Sequence, residues 1–198
     1  LAPHWAIDHA ETITEHNIER VARLGGGIAV QNRIAYQAED FLRQYGAAEL
    51  SQTPPLRKML KMGIPVGGGT DSTRVSSYSP WLSLEWMVTG KSVGGLQMYG
   101  DENILERLEA LRLWTKGSAW FTGEDKAKGA IAVGEYADFA ILDRDYLTVE
   151  DGEIRDISSS LTAVGGDVVH AKDGFAQHCP DIPALQPSWS PVHAFGGF

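Results

Sequence analysis

The stretch Gly63-Ile-Pro-Val-Gly-Gly-Gly-Thr-Asp-Ser-Thr-Arg-Val-Ser-Ser-Tyr-Ser-Pro-Trp-Leu-Ser-Leu-Glu-Trp86 decides the reading of the fold. Gly63 to Val66 predicts a short buried strand. Three glycines then lead into Thr70 and Asp71, a polar loop follows, and Pro80 to Trp86 reads as a helix started by proline. A carboxylate placed where a buried strand becomes a loop is where a parallel α/β barrel keeps its chemistry.

Upstream of this stretch the same alternation repeats. Trp5 to Ile7 is a short apolar segment that ends in Asp8-His9-Ala10-Glu11. Thr12 and Thr14 are candidate N-caps for a helix in which Ile18, Val21, Ala22 and Leu24 recur at helical spacing. Gly25-Gly26-Gly27 stops that helix, and Ile28-Ala29-Val30 predicts a second strand ending at Gln31-Asn32. Helices are predicted over 36–45 and 56–62. Strands that are short and apolar throughout, separated by helices, predict a parallel sheet with both faces covered. Downstream, Ile104 to Trp120 reads as one strong helix with Leu105, Leu108, Leu111, Leu113 and Trp114 on its apolar side.

After Gly123 the texture changes to short β-type runs and turns, with a hairpin predicted around Gly165-Gly166. This predicts an α/β part over 1–124, a small β part over 125–175, and a tail over 176–198 rich in proline and aromatics, expected to pack on the body.

The net charge of −9 argues against a nucleic-acid or anionic-membrane partner, since phosphates would be repelled. A single cysteine, Cys179, excludes an internal disulfide framework and a Cys-rich zinc site. No apolar run is long enough to span a bilayer. A cytoplasmic location is expected, although the chain starts at Leu1 without Met, which leads us to expect residues upstream.

His9 and Asp71 end the first and third predicted strands, and a parallel barrel would bring them to one face. Imidazole and carboxylate are ligands suited to zinc, manganese or iron. On spacing alone, a hydrogen-bonded core histidine and an aspartate capping a helix or loop are favoured over a metal pair.

Three motifs carry a resemblance. Ile7-Asp-His-Ala-Glu11, Gly63-Ile-Pro-Val-Gly-Gly-Gly-Thr-Asp71 and Gly134-Glu-Tyr-Ala-Asp-Phe-Ala-Ile-Leu-Asp143, in this order, resemble the C-terminal portion of the amidohydrolase superfamily, in the branch of N-substituted formamide deformylase-like enzymes. The resemblance implies strands six to eight of a TIM-type (β/α)8 barrel plus part of a small β-sandwich. It implies that His9 is a metal ligand, and that Asp71 both contacts a divalent metal, zinc above all, and carries the proton in hydrolysis of a C–N bond. The substrate implied is a small-molecule amide, formamide or cyclic amide. Asn32, Arg74, Tyr78 and Trp81 are the candidate substrate-binding residues, with Gln31 beside Asn32 at the end of the middle strand. Gly67-Gly68-Gly69 lacks the Lys-Ser/Thr of a phosphate loop and reads as close backbone approach to the metal centre. A phosphate- or sugar-binding module is the weaker third reading.

The family's His-x-His pair has no counterpart, because no two histidines here stand two apart. Metal is therefore expected to bind weakly or not at all to this chain alone. The alternative to an active hydrolase is a catalytically inactive piece whose open strand edges drive homo-oligomerisation or association with the missing N-terminal half.

Overall fold

A computed structural model of the protein describes residues 4–72 and 75–181. Its first layer is a parallel sheet in the order β1 (Ala6–Asp8), β2 (Gly27–Gln31), β3 (Val66–Gly69). Helix α1 (Glu15–Arg23) crosses from β1 to β2, and α2 (Ile34–Tyr45), α3 (Ala47–Leu50) and α4 (Leu56–Lys61) cross from β2 to β3. Thr14 caps α1, its hydroxyl accepting from the Asn17 amide at 3.4 Å. Ile18 and Val21 of α1 are buried, whereas Leu24 lies past the last turn and is 68% exposed. The helical spacing that placed Leu24 inside fails there because the chain has already left the helix through Gly25, whose φ is 69°.

Ile28 and Val30 of β2 are fully buried and form the centre of the core with α1, α2 and α4. β1 differs from the expected two-sided burial: Ala6, Ile7 and Asp8 are all exposed, since β1 pairs with β2 on one side only. The other edge of the sheet is covered by helix rather than by strand.

That cover comes from the segment expected as one helix over 104–120. It starts at Glu106, where a reciprocal capping arrangement with Glu109 opens α6 (Arg107–Arg112). A π-helical turn, Leu113–Gly117, follows, then α7 (Ser118–Phe121). Leu108 is 50% exposed, so the apolar side is narrower than the leucine count suggested. The π-turn and α7 wrap the free edge of β3. A Cβ on Gly117 would lie 2.1 Å from the Val66 carbonyl, and Ser118 Oγ donates to the Gly68 carbonyl at 2.9 Å.

The glycines of β3 are explained by the same contact. A Cβ on Gly67 would meet Phe121 at 2.5 Å, and one on Gly68 would meet Trp114 Nε1 at 2.7 Å. Their smallness admits aromatic rings against the sheet, which corrects the expectation that they bring the backbone to a metal centre.

Helix α5 (Pro80–Thr89) connects β3 to this region, with Ser83 to Met87 buried. The second sheet is antiparallel: β4 (Phe139–Leu142), β5 (Ser159–Val164) and β6 (Asp167–Ala171). The expected hairpin joins β5 and β6 through Gly165 and Gly166, at φ 61° and 90°. Tyr146, Ile154 and Ile157, between β4 and β5, join the same core as α5. Arg155 seals this junction: its Nε donates to Glu85 Oε2 at 2.7 Å and its backbone N–H to the same oxygen at 3.2 Å. Arg107 donates to the Val149 carbonyl and to Asp151 Oδ1 at 2.5 and 2.6 Å. Among the described residues no helix is long and apolar enough to cross a membrane.

Candidate active site

Three parallel strands end on one side of the sheet, so the residues that follow them meet there. The register pairs Asp8 with Ala29 and Gln31 with Gly69, which sets His9, Gln31 and Asp71 along one rim. The His9 amide donates to the Ala29 carbonyl at 2.8 Å, so the ladder holds His9 in place one residue beyond β1.

The backbone at this rim is strained. Among the described residues four non-glycine residues have positive φ, and three of them are here: His9 at 70°, Ala10 at 55° and Asp71 at 53°. A side chain in the left-handed region costs on the order of 1 kcal/mol, which the surrounding packing must offset. Such residues cluster where a side chain must be aimed at something other than its neighbours in the strand.

His9 Nδ1 and Asp71 Oδ2 stand 3.9 Å apart, with side chains 39% and 42% exposed. This is too long for a hydrogen bond. His9 Nδ1 is itself buried and has no hydrogen-bond partner among the described residues. The two side chains thus approach each other without forming a hydrogen bond. Two strand spacings, roughly 10 Å, separate β1 from β3, so the two side chains reach toward each other over the end of β2.

The loop after Asp71 is tied down locally. The Ser72 amide donates to Thr70 Oγ1 at 3.2 Å, Ser76 Oγ donates to the Thr70 carbonyl, and the Ser77 amide donates to the Tyr36 hydroxyl at 3.0 Å. The loop after β1 is held to the start of α2 by an ion pair between Glu11 and Arg33 at 2.8 Å.

The candidate substrate-binding residues scatter. Tyr78 is 59% exposed on the loop between β3 and α5. Trp81 packs its ring on Tyr146, centroids 5.9 Å apart, and serves the junction between α5 and the second sheet. Asn32, one residue past β2, is fully buried, and neither its Nδ2 nor its Oδ1 has a partner among the described residues. Arg74 lies outside the described residues. Gln31 is at the rim, and its Oε1 is buried and unpartnered among the described residues. His16 is exposed on α1, as its helical position implies.

Among the described residues no group of three or more histidine, cysteine, aspartate or glutamate side chains converges. A groove of about 510 Å³ runs along the open edge of β1 and the face of α1, lined by Trp5, Ile7, His9, Ile13 and Leu24 among others but not by Asp71. Trp114, whose buried Nε1 is also unpartnered among the described residues, was visible in the sequence only as a core stripe residue.

Residues 2–170 match the model of the amidohydrolase family. The chain belongs to this family. Among its curated relatives are YtcJ of Bacillus subtilis (strain 168), a protein named provisionally as an amidohydrolase, and the N-substituted formamide deformylase of Arthrobacter pascens. The first is 27% identical over 174 residues, covering 85% of this chain and 32% of the relative. The second is 25% identical over 170 residues, covering 85% of this chain and 31% of the relative. The chain therefore spans about a third of the length of the curated relatives it matches. Among solved structures, an uncharacterised metal-dependent hydrolase of Pyrococcus horikoshii OT3 superimposes with a TM-score of 0.65 at 26% identity, covering 74% of this chain and 30% of that one. The resemblance to the C-terminal portion of amidohydrolases is thus borne out.

Proposed function

We propose that this chain carries part of the hydrolytic site of a metal-dependent amidohydrolase that cleaves a C–N bond in a small-molecule amide, formamide or cyclic amide. The observation that carries the reading is the approach of His9 and Asp71 from separate strand ends, both on left-handed backbone, to 3.9 Å. Membership of the amidohydrolase family and likeness to a metal-dependent hydrolase support it. On this reading β1, β2 and β3 correspond to barrel strands six, seven and eight. Residues 1–124 are then a partial barrel, 125–175 part of a composite β-sandwich, and 176–198 a C-terminal extension.

The donor set fits a divalent cation. An imidazole nitrogen that is buried and unpartnered faces a carboxylate oxygen, and their separation is close to the ~3.4 Å that two ligands of one tetrahedral zinc would span. His9 and Asp71 would hold such an ion, which when bound acts as a Lewis acid and lowers the pKa of water. The rest falls to the chain's own groups. The Asp71 carboxylate, partly open to solvent, takes the proton of the attacking water and delivers it to the leaving nitrogen, so that an amine rather than an amide anion departs. The loop after Asp71, on which Tyr78 is exposed, would border the substrate.

In a polypeptide that supplies the remaining ligands, Asp71→Asn should abolish amide hydrolysis while the circular dichroism spectrum stays that of the parent. Turnover surviving the substitution would remove Asp71 from the mechanism.

A second reading, a non-catalytic piece that associates with itself or with a complementary chain, is favoured by the open edge of β1 and by Phe139 and Ile141 of β4, both 38% exposed. It predicts a dimer or larger species by light scattering at micromolar concentration. A monodisperse monomer counts against it.

A further inference from the structure

We infer that the first turn of α2 sets the approach of His9 to Asp71, with Arg33 and Tyr36 as positioning residues, a conclusion that rests on the hydrolytic reading above. β2 lies between β1 and β3 in the parallel sheet, and α2 starts three residues past its end. Arg33, in helical conformation at the cap of α2, and Tyr36 stand three apart, so they lie on one face of the first turn. They hold different loops. Arg33 Nη2 pairs with Glu11 Oε1 at 2.8 Å, and Glu11 is two residues past His9. Tyr36 Oη accepts from the Ser77 amide at 3.0 Å, and Ser76 Oγ donates to the carbonyl of Thr70, the residue before Asp71. One helical turn at the end of the middle strand is thus tied to the loops of both outer strands. Each of those loops carries one member of the pair that stands 3.9 Å apart.

Both loops need such ties. His9 and Ala10 are consecutive residues at φ 70° and 55°, and Asp71 is at 53°. A non-glycine residue stays in the left-handed region only where its surroundings hold it there. The His9–Ala10 pair is held on both sides by the middle strand and its helix. Before it, the His9 amide donates to the Ala29 carbonyl at 2.8 Å; after it, Glu11 is fixed to Arg33. The Glu11 side chain is only 13% exposed, and among the described residues Arg33 is the only cation within ion-pair distance of it. A mostly buried carboxylate needs such a partner, so loss of Arg33 drives Glu11 toward water and takes the loop with it. On the other side, β3 ends two residues before Asp71, so side-chain bonds rather than the ladder hold that loop. Arg33 and Tyr36 act through the backbone of these two loops and take no part in the proton transfer.

The test is made by NMR on the 198-residue chain, first without metal and then with zinc. The sign of φ at His9, Ala10 and Asp71 is read from the Cα–Hα and amide–Hα couplings. In Arg33→Met, His9 and Ala10 should leave the left-handed region while Asp71 keeps it. In Tyr36→Phe, which keeps the ring and removes the acceptor, Asp71 alone should leave. Each variant should bind zinc about fivefold more weakly than the parent. Arg33→Lys, which keeps a cation beside Glu11, should retain the φ values and hold the affinity to within about twofold. Positive φ retained at His9 and Ala10 in Arg33→Met and at Asp71 in Tyr36→Phe would overturn the assignment, as would zinc affinity equal to the parent's in both variants. Should Arg33→Met fold poorly, Tyr36→Phe carries the test from the other loop. A parent chain whose His9 signals do not respond to zinc counts against the hydrolytic reading, and the metal-free couplings still decide whether the α2 turn holds the two loops.

Discussion

In the parallel sheet the middle strand has Ile28 and Val30 fully buried, and an aromatic helical turn is pressed against the glycines of β3. In the antiparallel sheet Phe139 and Ile141 are 38% exposed and Val169 is 50% exposed, although Ala163 and Leu161, the β5 partners of Phe139 and Ile141, are buried. The strained residues divide the same way. Among the described residues three of the four non-glycine positive φ values fall at the ends of the parallel strands, while the β5–β6 turn uses glycine and stores no strain. The contrast teaches where precision is held. A rim of left-handed residues needs rigid elements behind it, and here the buried middle strand, to which the His9 amide is bonded, supplies them. The antiparallel sheet is bound to the body chiefly through Glu85–Arg155 and Arg107.

Substitutions can break this contrast. The largest effect is expected from Gly117→Val, which would drive a side chain into the Val66 carbonyl and lift the helical cover off β3. It should cost about 3 kcal/mol or more by urea denaturation. Next comes Arg155→Ala, which leaves the Glu85 carboxylate, 5% exposed, without its guanidinium. A loss of about 3 kcal/mol is expected, with the β4–β6 amides exchanging faster than those of β2. Uniform acceleration across both sheets would show that the junction does not separate them. A paired measurement sharpens the point: Ile28→Ala should cost about 3 kcal/mol, and Ile141→Ala about 1 kcal/mol or less, since Ile141 already meets water. Similar losses would mean that the second sheet is covered in solution.

The smallest effect concerns pH. Hydrogen bonds from the Ser158 hydroxyl and backbone N–H hold the Asp143 carboxyl below the usual aspartate range. A folded-state pKa below the unfolded one gives stability that is full above the ordinary value of about 4 and is lost as pH falls through the folded value. The end of β4 should therefore loosen in acid before the parallel sheet does. Asp143→Asn should remove this pH dependence, as read by amide exchange in β4 and β5.

Much of this architecture was legible in the residues. The β–α alternation, the Thr14 cap and the Gly165-Gly166 hairpin follow from periodicity and turn chemistry, which are local, whereas the third strand, expected over 63–66, forms over Val66–Gly69 because its glycines pair with β2. What was not legible is long-range. Leucine spacing cannot reveal that a π-turn bends residues 113–121 around β3, because the reason lies in Val66 and Gly68, some fifty residues earlier. The role of Gly67 and Gly68 was misread for the same cause: a glycine admits a close neighbour without saying which one. Trp81 belongs to packing because Tyr146 lies against it.

The central claim is that His9 and Asp71 form one cation-binding half-site at the end of the parallel sheet. Titrating zinc into the chain while following the His9 ring signals by NMR tests it most directly. The account predicts weak, saturable binding that shifts the His9 signals and falls at least about tenfold in Asp71→Asn. Affinity unchanged in Asp71→Asn, or tightly held zinc that leaves the His9 signals in place, would contradict it.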